Sequence, residues 1–227
     1  MSELDTTAPI LTIDGPSGSG KGSISKRVAE KLGWCYLDSG ALYRALGIAA
    51  IHRQVDITDE NALAVLIERI NLEFKRNTAG DWGVYLDGEE VQGQLQTEDV
   101  GRVASKIAIF PLVRRGLLAK QQGFQKQPGL VADGRDMGSV VFPNANYKVY
   151  LTASAEERGK RRYKQLIEKE INANLRNVIE DIEQRDERDK SRLASPLMVP
   201  EGALYIDSSS SSIKEVVQEV LDLLNNA

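Results

Sequence analysis

The stretch Gly15-Pro16-Ser17-Gly18-Ser19-Gly20-Lys21-Gly22-Ser23 constrains this chain more than any other segment. It follows the apolar run Ile10-Leu11-Thr12-Ile13 and precedes a helical pattern. Strand, glycine-rich loop, helix is the order a phosphate-binding P-loop requires. Glycines let successive backbone N–H groups turn toward one anion with no Cβ in the way. The helix that follows adds unpaired N–H groups and the positive end of its dipole. Lys21 brings a point charge for the outer phosphates. The bland alternative is a glycine-rich turn with a chance lysine, and the flanking strand and helix speak against it. Many such loops place Ser or Thr directly after the lysine. Here that position is Gly22 and the hydroxyl comes one residue later, at Ser23. Ser23 contacts phosphate, or a metal directly or through water, and the residues leave that choice open.

The 227 residues, 41% hydrophobic, suffice for one large domain with a core and an inserted subdomain. A net charge of −4 and a pI of about 5.3 give no broad basic surface, so no nucleic-acid partner is expected. The single cysteine, Cys35, excludes an internal disulfide and points to a reducing compartment. Its apolar setting reads as a buried small hydrophobe rather than a nucleophile. The single histidine, His52, excludes a multi-histidine metal site. A Ser-His-Asp triad would rest on this one residue, which falls at a helix end where an exposed position is expected. The acidic start Met1-Ser2-Glu3-Leu4-Asp5 is no signal peptide, and no apolar run is long enough to cross a bilayer. A soluble, cytoplasmic protein without membrane contact is the expectation.

Short apolar strands alternate with helical patterns, the signature of a parallel sheet in an α/β layer fold. The spacing predicts a strand over 10–13, a helix over 21–32 with Gly33 as its C-cap, a strand over 34–37, and a helix opened by Asp38-Ser39-Gly40 and running through Ile51. Further strands are expected over 130–133, 147–151 and 203–207, the last followed by a terminal helix in which Ser212 and Glu215 have capping-box spacing. Residues 63–105 read differently. Leu72-Glu73-Phe74, Trp82 to Leu86 and Glu89-Glu90-Val91 look like a short antiparallel meander, with Asp87-Gly88 as its turn. Helical patterns flank it. Ser154 to about Ile171 is a highly charged helix, again with capping-box spacing at Ser154 and Glu157.

Asp133 ends an apolar strand, the position from which an acidic residue holds Mg²⁺, directly or through water, in P-loop enzymes. Asp14 also ends a strand and is a second candidate for that neighbourhood. Gly134-Arg135-Asp136-Met137-Gly138 follows at the ligand edge of such a sheet. Arg158 and Arg162 lie four apart on one helical face. A charge run is usually a solvated face; beside a P-loop, a mobile arginine helix also has the make-up of a lid over phosphates. The cluster Arg185-Asp186-Glu187-Arg188-Asp189-Lys190-Ser191-Arg192 puts Arg185, Arg188, Asp189 and Arg192 on one helical side. Together with Arg44 and Arg114, these cations suit two phosphate-bearing substrates whose charges would otherwise repel. An alcohol acceptor would gain from a general base. A nucleoside monophosphate needs none, because its second pKa is about 6. Catalysis then reduces to alignment and charge neutralisation.

The segments IDGPSGSGKGS, LDSGALYR, ADGRDMGSVVFP and RDERDKSR occur in the order and spacing of bacterial cytidylate kinases, and the chain resembles that family along nearly its whole length. GKG followed by Ser or Thr is the loop that nucleoside monophosphate kinases carry. The resemblance implies an α/β P-loop kinase fold in one domain over 1–227: a central parallel sheet flanked by helices, a core of about 1–65 and 106–227, a nucleotide-binding antiparallel-sheet insertion at about 66–105, and a helical lid at about 154–171. It implies in-line transfer of the γ-phosphoryl of ATP to CMP or dCMP with Mg²⁺, by a monomer. ATP would lie on Gly15, Pro16, Ser17, Gly18, Ser19, Gly20, Lys21, Gly22 and Ser23, and Mg²⁺ on Ser23 and Asp133, directly or through water. Lys21, Arg135, Arg158, Arg162 and Arg188 would carry the charge of catalysis, with Arg158 and Arg162 as lid residues on ATP. Ser39, Tyr43 and Arg44 would face the acceptor phosphate with Arg135 beside it. Ser105, Arg114 and Asp136 would read cytosine, whose N4 donates to a carboxylate while O2 and N3 accept. Asp189 and Arg185 would meet the sugar hydroxyls, and Arg188 and Arg192 the phosphates or the sugar. Another small P-loop kinase, for uridylate, adenylate or a metabolite, is the enzymatic alternative. A nucleotide-dependent switch is the other, although the guanine-reading Asn-Lys-x-Asp motif is missing from the sequence.

Overall fold

The computed structural model describes residues 7–78, 80–95, 97–168, 170–191 and 195–225. In chain order the elements are β1 (Ile10–Asp14), α1 (Lys21–Leu32), β2 (Cys35–Asp38), α2 (Ser39–His52), α3 (Glu60–Arg69), β3 (Leu72–Arg76), β4 (Trp82–Leu86) and β5 (Glu89–Glu90). Then come α4 (Gln92–Leu95), α5 (Glu98–Ile107), α6 (Pro111–Gln122), β6 (Leu130–Gly134), β7 (Tyr147–Thr152), α7 (Ala155–Glu168), α8 (Leu175–Ser191), β8 (Leu204–Asp207) and α9 (Ile213–Asn225). The described residues fall into two compact units, one drawn from 9–34 and 131–227 and one from 7–8 and 35–130.

The strand order of the main sheet is β2-β6-β1-β7-β8. The order explains the sequence of β1. A strand flanked on both edges and covered on both faces takes an unbroken apolar run rather than an alternating one, and all five residues of β1 are buried. It pairs in parallel with β7, Leu11 opposite Tyr147 through Asp14 opposite Tyr150, and β7 pairs in parallel with β8. The chain runs on from β1 to β2 on one side of β1 and from β6 to β7 on the other, so the strand order reverses at β1, the kind of place where open α/β sheets form a ligand crevice.

Helix α1 ends as its sequence predicts. Gly33 is left-handed at φ 66°, its N–H reaches Glu30 O, and the N–H of Trp34 reaches Ala29 O at 3.0 Å, which is a Schellman closure. The closure occupies Trp34, so β2 opens one residue later than expected, at Cys35. Cys35 is only half-buried, not buried as its apolar neighbours suggested, because it starts the edge strand of the sheet. Around α9 the capping box forms in full: Ser212 N–H donates to Glu215 Oε2 at 2.7 Å and Glu215 N–H to Ser212 Oγ at 3.3 Å. At α7 only half of it forms. Glu157 N–H reaches Ser154 Oγ at 3.2 Å, while the Glu157 carboxylate pairs with Lys160 instead. Helices α7 and α8 pack on each other through Leu166, Val178 and Ile182.

In the other unit, α2 is capped by Asp38, which accepts from Ala41 N–H at 2.9 Å, and α3 by Asp59, which accepts from Ala62 N–H at 3.0 Å. The meander is present as a three-stranded antiparallel sheet, β3-β4-β5, with Leu72 opposite Leu86 and Arg76 opposite Trp82. Its turn has Asp87 at φ 52° and Gly88 at φ 90°, the two left-handed residues that match strand twist in a tight hairpin. Phe74 meets Tyr36 and Phe124 edge-on, closing an aromatic cluster over this small sheet. His52 ends α2 and is exposed, as expected.

Candidate active site

The loop from β1 to α1 is shaped by two glycines. Gly15 has φ 151°, and a Cβ there would stand 1.9 Å from the Leu151 carbonyl oxygen, so only glycine lets the chain leave β1 this close to β7. Gly20, left-handed at φ 93°, is the N-cap of α1, and no side chain caps the helix start. A helix whose first amides lack a side-chain acceptor is prepared for an anion. Lys21 is 7% exposed and folds back so that its Nζ donates to Pro16 O at 2.9 Å. Ser19 is buried as well, and its hydroxyl has no hydrogen-bond partner among the described groups. Ser17 and Gly20 are half-buried, and Gly18 and Ser23 are exposed.

Beside the loop, Asp14 is fully buried. Its Oδ1 accepts from Met137 N–H at 2.8 Å and its Oδ2 from Gly138 N–H at 2.7 Å. Burial pushes its carboxyl up to about 6, against the pull of those two amides, with Asp136 raising it further and Lys21 lowering it. Both oxygens of Asp14 thus fix the segment after β6 to the end of β1. Asp136 is buried and begins a wide helical turn at Met137–Val141, where its carbonyl accepts from Val140 and Val141 N–H. Asp133 is buried within the last residues of β6. Arg135 Nε donates to Asp189 Oδ2 of α8 at 2.9 Å.

No group of three or more His, Cys, Asp or Glu among the described residues is placed to cage a metal. Mg²⁺ held through nucleotide phosphates needs only one or two protein oxygens. The Ser23 hydroxyl and the Asp133 carboxylate are hard oxygen donors of the kind it takes, so the residues present fit the ion.

The arginines of α7 and α8 have distinct settings. Arg158 is 4% exposed, with Nε donating to Ala153 O at 2.8 Å, Nη1 to Ser17 O at 3.0 Å and Nη2 to Asp186 Oδ2 at 2.5 Å. Arg162 and Arg185 are half-buried. Arg188 is exposed, and its Nε folds onto Gln184 O of its own helix at 3.2 Å. Arg192 lies outside the described residues. Three further residues of this unit were not singled out from the sequence. Arg161 donates through Nη2 to Ser208 O at 2.6 Å and through Nη1 to Ser19 O at 3.4 Å, and buried Ser208 itself donates to Thr152 O at 3.0 Å. In sequence, Arg161 is one of five cations in seven residues, and nothing there separates it from the others. Asp186 had a signal: it continues the four-residue spacing of buried Val178 and Ile182, so a carboxylate sits where an aliphatic side chain is due.

In the other unit, α2, α5 and α6 carry the remaining expected residues. Ser39 is buried and donates from Oγ to Gln121 Oε1 at 2.7 Å. Arg44 Nη1 donates to Leu95 O at 2.5 Å, and its guanidinium lies against Gly101, where a Cβ would come within 3.1 Å of Nη2. Arg114 donates to Ala108 O at 3.1 Å and stands 6.0 Å over the ring of Tyr43. Ser105 Oγ donates to Gly101 O one turn back at 3.0 Å. Gln121, buried and bonded to Ser39, had no signal in the sequence.

A parallel sheet whose first strand feeds a glycine loop, with a buried lysine curled over it and a helix start behind it, defines a P-loop nucleotide-binding phosphotransferase fold. The family model described as cytidylate kinase matches residues 11–226. A cytidylate kinase of Colwellia psychrerythraea strain 34H is 50% identical over 222 residues, 98% of each chain. One of Methylococcus capsulatus strain Bath is 50% identical over 223 residues, 98% of this chain and all of its own. One of Serratia proteamaculans strain 568 is 50% identical over 218 residues, 96% of this chain and 95% of its own. The chain belongs to the cytidylate kinase family. Among solved structures, a gluconokinase from Sinorhizobium meliloti 1021 aligns at TM-score 0.49 and 15% identity over 96% of this chain and 92% of its own, a likeness too loose to bear on the chemistry.

Proposed function

We propose that this chain transfers the γ-phosphoryl group of ATP to CMP or dCMP, yielding ADP with CDP or dCDP. The observation that carries this reading is the family match over residues 11–226, which runs through both the glycine loop and the arginine-bearing helices. The acceptor's phosphate is ionised near neutral pH, so its oxygen needs no general base. That agrees with a chain whose only histidine is exposed at the end of α2. The work of the protein is then to align two anions and neutralise the charge that spreads over the transferred group.

In this reading Gly15 through Ser23 cradle the donor phosphates, and Lys21 places its ammonium at their outer end. Arg158, held at the loop carbonyl of Ser17, and Arg162 one turn further bring positive charge to the same phosphates. Ser23 and Asp133 would hold Mg²⁺, directly or through water, and the ion when bound supplies further neutralisation of the phosphates. Ser39, Tyr43, Arg44 and Arg135 receive the acceptor phosphate. Asp136 accepts from cytosine N4, Ser105 and Arg114 donate to O2 and N3, and Arg185, Arg188, Asp189 and Arg192 serve the sugar and phosphates. The 66–105 segment acts as the acceptor-binding insertion and 154–171 as the lid. A cytoplasmic monomer working on free nucleotides completes the proposal. No helix of the described residues is long and apolar enough to cross a membrane.

The test is a coupled assay of ATP and Mg²⁺ with each ribo- and deoxyribonucleoside monophosphate. CMP and dCMP are expected to give diphosphates at the highest kcat/KM. No diphosphate from either cytosine nucleotide overturns the reading.

A further inference from the structure

Along the inner side of α8, residues four apart are Val178, Ile182 and Asp186, all buried. The first two join Leu166 in an apolar cluster. The third presents a carboxylate with unequal oxygens: Oδ2 takes the Arg158 guanidinium at 2.5 Å, while Oδ1 is buried with no hydrogen-bond partner among the described groups. The Tyr150 phenol of β7 also feels this charge, its pKa raised first by burial, then by Tyr205 and Asp186.

As a device for stability the pair is poor. Two charges have left water and one oxygen is unpaired, and aliphatic side chains of the same volume serve as well or better in such places. An aliphatic pair could not donate a hydrogen bond to the Ser17 carbonyl, which belongs to the glycine loop. Arg158 does so at 3.0 Å while its other nitrogens hold Ala153 O and Asp186. The same face of α8 carries Asp189, one turn on from Arg185, and Asp189 holds Arg135 at 2.9 Å. Side chains therefore connect the glycine loop to the segment after β6 by way of Arg158, α8 and Asp189.

Resting on the reading of the loop as the phosphate-donor site, we propose that Asp186 is a positioning residue for phosphoryl transfer. It holds Arg158 in the placement from which one guanidinium ties the Ser17 carbonyl to the α8 turn bearing Arg185 and Asp189. Asp186 need not touch either nucleotide. Without its charge Arg158 has no reason to stay buried, and loop and helix lose their common reference.

The test uses the full chain, with kcat and both KM values measured on D186N, R158K and the double variant, each checked by thermal unfolding to be folded at the assay temperature. D186N is expected to lose about 10²-fold in kcat, the scale of a 1 Å misplacement, with each KM within about threefold of wild type. R158K keeps a cation beside Asp186, but a lone ammonium cannot span the carboxylate, Ser17 O and Ala153 O at once. A similar kcat loss is expected for it. The double variant should be no slower than the slower single, because the two residues act as one unit. D186N kcat within about twofold of wild type overturns the proposal, as do losses that multiply in the double. Full kcat in R158K overturns it even where D186N cannot be obtained folded. Wild-type turnover of CMP decides the proposed function; the ratio of variant to wild type, on whichever monophosphate the wild type prefers, decides the role of Asp186.

Discussion

Asp14 Oδ2 accepts the amide of Gly138 at 2.7 Å across 124 residues of sequence. The bond joins the last residue of β1, immediately before the glycine loop, to the segment after β6. Its position at 0% exposure makes the carboxylate expensive to ionise, and its pKa rises from 3.8 to about 6.

That shift fixes the sign of a pH effect. The folded chain holds the Asp14 proton more tightly than the unfolded chain, so between pH 3.8 and about 6 the folded state carries extra proton. This contribution to stability is complete below the lower value and declines as pH rises through the window, flattening above about pH 6. Two pKa units correspond to about 3 kcal/mol. The unfolding free energy of wild type minus that of Asp14→Asn should therefore fall by up to about this amount from pH 4 to pH 7. Urea unfolding at several pH values measures it, and a difference that stays constant or grows with pH contradicts the burial argument.

Gly15→Ala should be severely destabilising. The new methyl would meet the Leu151 carbonyl at 1.9 Å, backbone against backbone, at a φ of 151° that L-residues avoid. A cost of about 3 kcal/mol or more is expected, roughly 10 °C in melting temperature for a chain of this size. Gly33→Ala is the control. It has a positive φ of 66° but no atom within 4 Å of the added Cβ, so only the left-handed penalty of about 1 kcal/mol applies. Equal losses in the two variants would mean that the close approach to β7 does not matter.

How legible the site was in the sequence depended on whether its signal was local. The glycine loop, the Gly33 C-cap of α1, the Asp87-Gly88 turn and the Ser212–Glu215 box each depend on a few consecutive residues, and each lies where expected. Contacts between distant segments were not legible. Nothing near Asp14 reveals that Met137 and Gly138 are its donors, and nothing near Ser39 names Gln121. The burial of Arg158 was also hidden, because a basic run reads as solvated until the carboxylate that neutralises it is known. That carboxylate, Asp186, sat in plain view as a break in an apolar stripe.

Lys21→Met keeps an aliphatic stem in a buried position and removes the charge. The melting temperature should stay within about 3 °C of wild type, since Met fills the same space and spares the burial of an ammonium. The kcat should fall by about 10³-fold or more, the scale of losing a cation from the transferred phosphoryl group. Calorimetry and steady-state turnover check the two halves separately. A folded variant with wild-type turnover would remove the loop lysine from the reaction.

Asp136→Asn tests how the base is read. A carboxylate only accepts hydrogen bonds, so in the proposed reading Asp136 would pair with the N4 amine of cytosine and would oppose the O4 acceptor of uracil. An asparagine amide both accepts and donates, and can turn to serve either base. The buried position of Asp136 sharpens the contrast, because an unmatched acceptor there cannot fall back on water. The variant should lose about 10- to 100-fold in kcat/KM for CMP while UMP is unchanged or improved, collapsing the preference between them. Competition between the two nucleotides in one reaction measures that ratio directly. An equal loss for both would assign Asp136 to the architecture of the Met137–Val141 turn, whose first residue it precedes, and not to the base.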